Sequence, residues 1–295
     1  MRILLTGKDG QVGRCLAALL TPLGNVIATD RTTFDLSQPQ RIRAGVAALA
    51  PDMIVNAAAD TDVEGAELEE QRALTVNGVS VGELADAARE RHVPLIHFST
   101  DYVFDGTKTT PYVEDDPPAP LSAYGRSKLD GEQRIRRSGC GHLIVRTGWV
   151  YAASGRNFLT TMLRLASERE ELRVVDDQVG APTFAGFLAT ATSHMLREIL
   201  LTDAARERVE HGETVHVVNG GVTSWFGFAS EIFASRLVQQ RVRAPKLVPI
   251  KTEDFPVRAR RPVNSKLSTE RARTVWNLQI PEWRESLAEC VGELR

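Results

Sequence analysis

The 295-residue chain is expected to form a doubly wound parallel α/β sheet with a smaller C-terminal α/β lobe, on three observations. Short β-rich runs alternate with stretches of helical period through the first half. Those runs are apolar on both faces, as strands covered by helices on both sides must be. A glycine-rich loop joins the first run to the first helical pattern, the place where such sheets hold a ligand.

Taken in order, Arg2–Thr6 reads as a strand, and Gly7-Lys8-Asp9-Gly10-Gln11-Val12-Gly13 leads into a helix marked by Leu16, Leu19 and Leu20. Residues 25–29 read as a second strand, 41–49 as a helix, 53–58 as a third strand and 79–91 as a helix. The alternation repeats with a strand at 95–98, a helix at 124–137 and a strand at 142–146. Residues 111–120 hold Pro111, Pro117, Pro118 and Pro120 with Glu114, Asp115 and Asp116, and read as a surface loop. Beyond Tyr151 the pattern loosens into a helix at 157–167, a strand at 172–176, a helix at 184–200, a strand at 215–219 and a helix at 226–237. Residues 204–210 read as a solvated charged face, and 245–262, rich in proline and arginine, as a surface wrap. The expected boundary separates 1–148 from 149–295, with about 184–219 returning to the first unit.

Apolar residues make up 42% and charged residues 25%, ordinary for a globular enzyme, and a net charge of -2 gives no footprint for nucleic acid or an anionic membrane. A small-molecule partner is expected. Cys15, Cys140 and Cys290 are widely spaced, odd in number and without metal-ligand spacing, so the reading is packing thiols in a reducing compartment, with no disulfide and no zinc. No stretch approaches about 18 uninterrupted apolar residues, and the chain starts directly on its first strand, which leads us to expect a cytoplasmic protein.

The chemistry concentrates at the carboxyl ends of the expected strands. Gly7, Gly10 and Gly13 form G-x-x-G-x-x-G between strand and helix, where backbone can approach a pyrophosphate at the helix N-terminus. Asp30, 23 residues after Gly7, sits where a carboxylate holds a ribose 2′-hydroxyl, while Arg31 suits a 2′-phosphate, so NAD and NADP are both open. Asp35 and Leu36 flank the adenine or lead into a capped helix. Ala57, Ala58 and Ala59 let a cofactor, or a packed helix, lie close. Ser99 and Thr100 end the fourth strand with hydroxyls for a substrate oxygen or a turn, and His97 reads as a buried core histidine. Tyr124 and Lys128, at i and i+4, share a helix face, so a phenol and an ammonium can act as one acid in carbonyl reduction.

The glycine loop, Ser99-Thr100-Asp101-Tyr102-Val103-Phe104 and the Tyr124/Lys128 pair resemble the extended short-chain dehydrogenase/reductase superfamily, whose fold is of Rossmann type. Further segments are similar to its dTDP-4-dehydrorhamnose reductase family: Val55-Asn56-Ala57-Ala58-Ala59, Arg146-Thr147-x-Trp149-Val150-Tyr151, Asn157-Phe158, Asp177-Gln178-x-Gly180-Ala181-Pro182-Thr183 and Arg260-Arg261-Pro262-x-Asn264-Ser265-x-Leu267. This resemblance covers nearly the whole chain. It implies Tyr124 as the acid, Lys128 lowering its pKa and binding the nicotinamide ribose, and Thr100 completing a triad. It implies Gly7, Gly10, Gln11, Val12 and Gly13 at the pyrophosphate, Asp30, Arg31, Asp35 and Leu36 at the adenosine, and Ala57, Ala58 and Ala59 at mid-cofactor. Asp101, Tyr102, Trp149 and Asn157 would shape the sugar pocket, with Asn77 on the cofactor side or in a cap. The first unit would then bind the dinucleotide and the second mainly the substrate. The implied reaction is reduction of the C4 keto group of dTDP-4-dehydro-L-rhamnose with NADPH, NADH being accepted.

Some relatives bridge a dimer with magnesium through acids. Here two matching positions are Cys15 and Gly186 and only Glu293 is acidic, so no metal site and a monomer or metal-independent dimer are expected. The competing readings are a reductase or epimerase of another nucleotide sugar, and a non-catalytic regulatory subunit like that of methionine adenosyltransferase.

Overall fold

The computed structural model describes residues 1–294. Six parallel strands make the central sheet: β1 (Arg2–Thr6), β2 (Asn25–Thr29), β3 (Met53–Asn56), β4 (Leu95–Thr100), β5 (His142–Thr147) and β6 (Glu213–His216), in the order β6-β5-β4-β3-β1-β2. The chain leaves β1 for β2 on one side and returns to build on the other, so the order reverses beside β1. A crevice opens there at the carboxyl ends of β1 and β3.

Both sheet faces are buried, as the unalternating apolar runs require. On one face Ile3, Leu5, Val55, Ile96 and Val145 pack with Leu16 of the first helix, with Leu20 that caps it, and with Leu188, Met195 and Leu196. On the other Leu4, Ile54, Leu95 and Ile144 pack with Ile42, Val46, Leu84 and Ile135. The helices responsible are α1 (Gln11–Leu19), α2 (Pro39–Leu49), α3 (Ser80–Arg91), α4 (Ala123–Ser138) and α5 (Ala185–Leu201). Ala272, Trp276 and Leu278 also join the first of these cores. A separate core gathers Tyr151, Leu159, Phe184, Phe228 and Trp283.

Several boundaries differ from expectation for local reasons. The third strand stops at Asn56 rather than residue 58, because the Asn56 side chain accepts the Ala58 N–H and turns the chain away. The last sheet strand spans Glu213–His216, displaced from 215–219. The helix expected at 226–237 breaks at Ser235 into Trp225–Ala234 and Arg236–Gln239. Residues 203–211 are not merely a charged face but a helix, capped by the Thr202 hydroxyl, which accepts from Ala205 N–H. Within the expected wrap at 245–262, Lys246–Ile250 pairs in parallel with Glu171–Val175. Pro249 argues against a strand only inside a larger sheet, since a two-stranded sheet is all edge and tolerates a missing N–H. The acidic loop is not wholly at the surface either: Glu114 is buried, and its carboxylate accepts the His216 backbone N–H at 2.9 Å. Among the described residues no helix is long and apolar enough to cross a membrane.

Candidate active site

The crevice holds two adjoining cavities that share Asp9, Gly10, Ala57, Ala59, Thr61 and Arg156. The first, about 490 Å³, is bounded by Asp30, Arg31, Phe34 and Asp35; the second, about 370 Å³, by Ser99, Tyr124, Lys128 and Thr147. Together they form one trough from the end of β2, across the glycine loop, to the Tyr124 face of α4.

The glycine loop is built for close backbone approach. Gly7 has φ of +74°, and an added Cβ there would lie 2.7 Å from Ala58 N. A Cβ at Gly13 would sit 2.0 Å from the Gly7 carbonyl oxygen, so Gly13 serves the packing of α1 on the loop and lies behind the trough. A Cβ at Gly10 would meet only Gly7 O, at 3.2 Å, which leaves the space over the loop open. Helix α1 starts there with no capping side chain and no acid in its first turn, so its leading N–H groups and dipole face the trough. Gln11 Oε1 is buried without a hydrogen-bond partner beside them. These features fit a dinucleotide whose pyrophosphate lies over Gly10.

At the β2 end Asp30, Arg31, Asp35 and Leu36 all border the first cavity, each with different local partners. The Asp30 carboxylate is engaged by its own turn, accepting from the Thr32 and Thr33 N–H groups at 2.9 and 3.0 Å, and pairs with Lys8 at 2.8 Å. The Lys8 ammonium and these bonds hold it far below the usual carboxylate range. Arg31 is largely exposed and touches Asp35 at 3.9 Å, a pair weak enough to part for a ligand. Asp35 accepts from the Ser37 N–H and hydroxyl, and Leu36 is a member of the core.

At the other end, α4 begins at the Ser122 cap and carries both phenol and amine. Tyr124 is half-buried, and its phenol is pushed up by burial and drawn back by the Thr100 hydroxyl. Lys128 is 2% exposed, and its Nζ donates to Phe98 O at 2.6 Å and lies 3.3 Å from His97 Nε2. Burial brings it down to about 8. The Thr100 hydroxyl donates to Asp101 Oδ1 at 3.0 Å, and the buried Asp101 is pushed up to about 7, its Oδ2 without a partner. Tyr102 meets Tyr124 edge to face at 6.0 Å. Ser99, which lines the trough where Thr100 does not, donates to Glu132 Oε1 at 2.6 Å; Glu132 is in turn gripped by Arg146 at 2.8 and 2.9 Å.

Trp149 has φ of +52° and stacks on Trp225 at 3.5 Å, while its indole N–H donates to Ser265 Oγ at 3.0 Å. Asn157 departs from expectation. Its Oδ1 caps the Phe158–Glu168 helix by accepting from Thr160 N–H, and its amide donates to Ala152 O and Ser154 O. Its polar atoms are thus consumed in holding the loop that carries Arg156 to the trough. Asn77 likewise bonds Asp60 through N–H and carbonyl and donates to Ser127 Oγ, fastening the loop after β3 to α4. Arg156, which lines both cavities, and Trp225, which stacks on Trp149, carry no sequence signal of their own, and Lys8 and Ser265 stand in quoted segments without an assigned role.

The family profile described as RmlD substrate binding domain matches residues 1–295. A dTDP-4-dehydrorhamnose reductase of Burkholderia thailandensis is 46% identical over 100% of this chain and 99% of its own length. The crystal structure of a dTDP-4-dehydrorhamnose reductase from Clostridium acetobutylicum is 36% identical with a TM-score of 0.89, covering 100% of this chain and 99% of that one. That of Bacillus anthracis, solved in complex with NADP, is 34% identical with a TM-score of 0.88, covering 99% of each. With sheet order, glycine loop and the Tyr124/Lys128 face all in place, full-length similarity of this kind means that the chain belongs to the dTDP-4-dehydrorhamnose reductase family.

Proposed function

We propose that the chain reduces the C4 keto group of dTDP-4-dehydro-L-rhamnose to give dTDP-L-rhamnose, with NADPH as reductant. The observation that carries this is the continuity of the trough from the uncapped N-terminus of α1 to Tyr124 and Lys128. When bound there, the dinucleotide supplies a hydride. Gly10 and the first N–H groups of α1 take the pyrophosphate, and Ala57 and Ala59 allow the close approach that larger side chains would block. Tyr124 gives its proton to the alkoxide that develops at C4. Burial makes that phenol a poor acid, and the Thr100 hydroxyl partly offsets it; the role we assign to the Lys128 ammonium one turn on is to favour phenolate further. We assign the orienting of the sugar to Asp101, Tyr102 and Trp149, a reading supported by the contact of Tyr102 with Tyr124 and by the stack of Trp149 on Trp225. Incubation with the keto sugar and NADPH should consume nicotinamide absorbance and yield a product with the rhamnose configuration by NMR. No consumption would defeat the assignment, and a 6-deoxytalose product would defeat its stereochemistry.

The engaged Asp30 and the exposed, weakly paired Arg31 favour the phosphorylated cofactor, because a guanidinium makes paired charge-assisted bonds to a 2′-phosphate. Arg31→Ala is expected to raise the KM for NADPH by about tenfold, the scale of one such bond, and to change that for NADH little. Equal effects on both would remove Arg31 from cofactor choice. Gly13→Ala should abolish dinucleotide binding in a calorimetric titration, since the new methyl collides with backbone that cannot yield. Retained binding would show that α1 can shift on the loop. With Cys15 and Gly186 where relatives carry acids, we also propose that association does not require magnesium. Light scattering should give one mass with excess magnesium or excess chelator.

A further inference from the structure

The hydrogen bonds beneath the trough fix which nitrogen of a buried histidine carries the proton. Asn56, at the carboxyl end of β3, receives the Thr6 hydroxyl at 2.6 Å and the Ala58 N–H at 3.3 Å on its Oδ1. A backbone N–H can only donate, so the Asn56 oxygen belongs on that side and its Nδ2 faces His97 Nδ1, at 3.0 Å. Nδ2 has only hydrogens to offer, so Nδ1 is the bare, accepting nitrogen. His97 is fully buried, and burial, with Lys128 and His142 nearby, holds its imidazole neutral. Its single ring proton therefore sits on Nε2, aimed at Lys128 Nζ 3.3 Å away. An ammonium has no lone pair to accept that proton, whereas an amine has one.

We propose that His97, locked in its Nε2–H form by Asn56, is a positioning residue that biases Lys128 towards the amine and turns its ammonium off the ring into the trough. Phe98 O, at 2.6 Å, accepts from Lys128 in either state and so does not discriminate. The opposing influence is Glu132 on the same helix, which favours the ammonium but is itself bonded to Arg146 of β5 and to Arg136. His142, at the start of β5, is held down by burial, and Asp60 and Asp101 act on Tyr124. Because Ala58 N–H belongs to the loop lining the trough, the same chain of bonds ties that loop to the Lys128 charge.

The consequence for turnover rests on the reductase reading, but the tautomer does not. Asn56→Asp replaces the Nδ2 donor by a carboxylate oxygen, moves the ring proton to Nδ1 and leaves Nε2 to accept from the ammonium. His97→Gln can turn its amide oxygen to the same ammonium. Both should move the alkaline limb of kcat/KM upward by about one pH unit, the scale of a hydrogen bond to a charged group. A purely structural His97 would lower stability and leave the limb in place. Nitrogen-15 spectra of the wild type, with His97 assigned through its backbone, should show a protonated Nε2 and a bare Nδ1; the reverse overturns the proposal. The Lys128 Cε shift followed against pH reads the same displacement without substrate, so a chain that fails to turn over still tests the coupling between His97 and Lys128. Where Asn56→Asp does not fold, His97→Gln and the wild-type spectra decide. An unmoved Lys128 titration in a folded variant overturns the proposal.

Discussion

Tyr124→Phe is expected to lower kcat for keto-sugar reduction by at least about 10²-fold, the usual worth of a positioned general acid. The ring still fills its place against Tyr102, so cofactor affinity should stay within about twofold, well under the tenfold that about 1.4 kcal/mol represents. Single-turnover rates beside dinucleotide titrations check both halves. Wild-type-like turnover would take the phenol out of the mechanism, and a matching loss of affinity would mean that the substitution disturbed the trough.

Arg146→Met should cost about 3–5 kcal/mol of folding stability, because it leaves Glu132 buried with no opposite charge on β5. Both side chains are essentially inaccessible, at 2% and 0%, and what remains on Glu132, the Ser99 hydroxyl and the more exposed Arg136 at 3.0 Å, cannot replace a buried bidentate guanidinium. The sign with pH follows from the carboxylate. In the wild type Arg146 holds Glu132 below its usual range, so the pair contributes stability above the unfolded carboxylate pKa and loses it as pH falls through the lower folded value. In the variant burial raises Glu132 instead, so the deficit is largest near neutrality and shrinks as acid protonates it. Denaturant unfolding across about pH 5 to 8 checks this, and a constant deficit would show that packing rather than charge was lost. Combining Arg146→Met with Glu132→Leu should recover much of the loss.

Asp30 and Asn157 have the right chemistry for ligands, yet the structure gives both to local backbone: Asp30 to the Thr32 and Thr33 N–H groups, Asn157 to a helix cap and the Ala152 carbonyl. Short polar side chains always have this alternative, and a motif match does not reveal which one wins. Lys8, a member of the glycine loop, pairs with the Asp30 carboxylate, a contact that the loop motif does not announce.

By itself the sequence determined the alternating sheet, the glycine loop at its first turn and the shared helix face of Tyr124 and Lys128. Each rests on a period or spacing of a few residues, which backbone geometry converts directly into direction. Only the tertiary structure decided the pairing of Lys246–Ile250 with Glu171–Val175, the stacking of Trp225 on Trp149, the seat of Ser265 against the Trp149 indole and the contact of Asn56 with His97. Those contacts join residues far apart in the chain. Their partners are chosen by how separately formed elements pack and by which polar groups remain unsatisfied once they have, information that no local pattern carries.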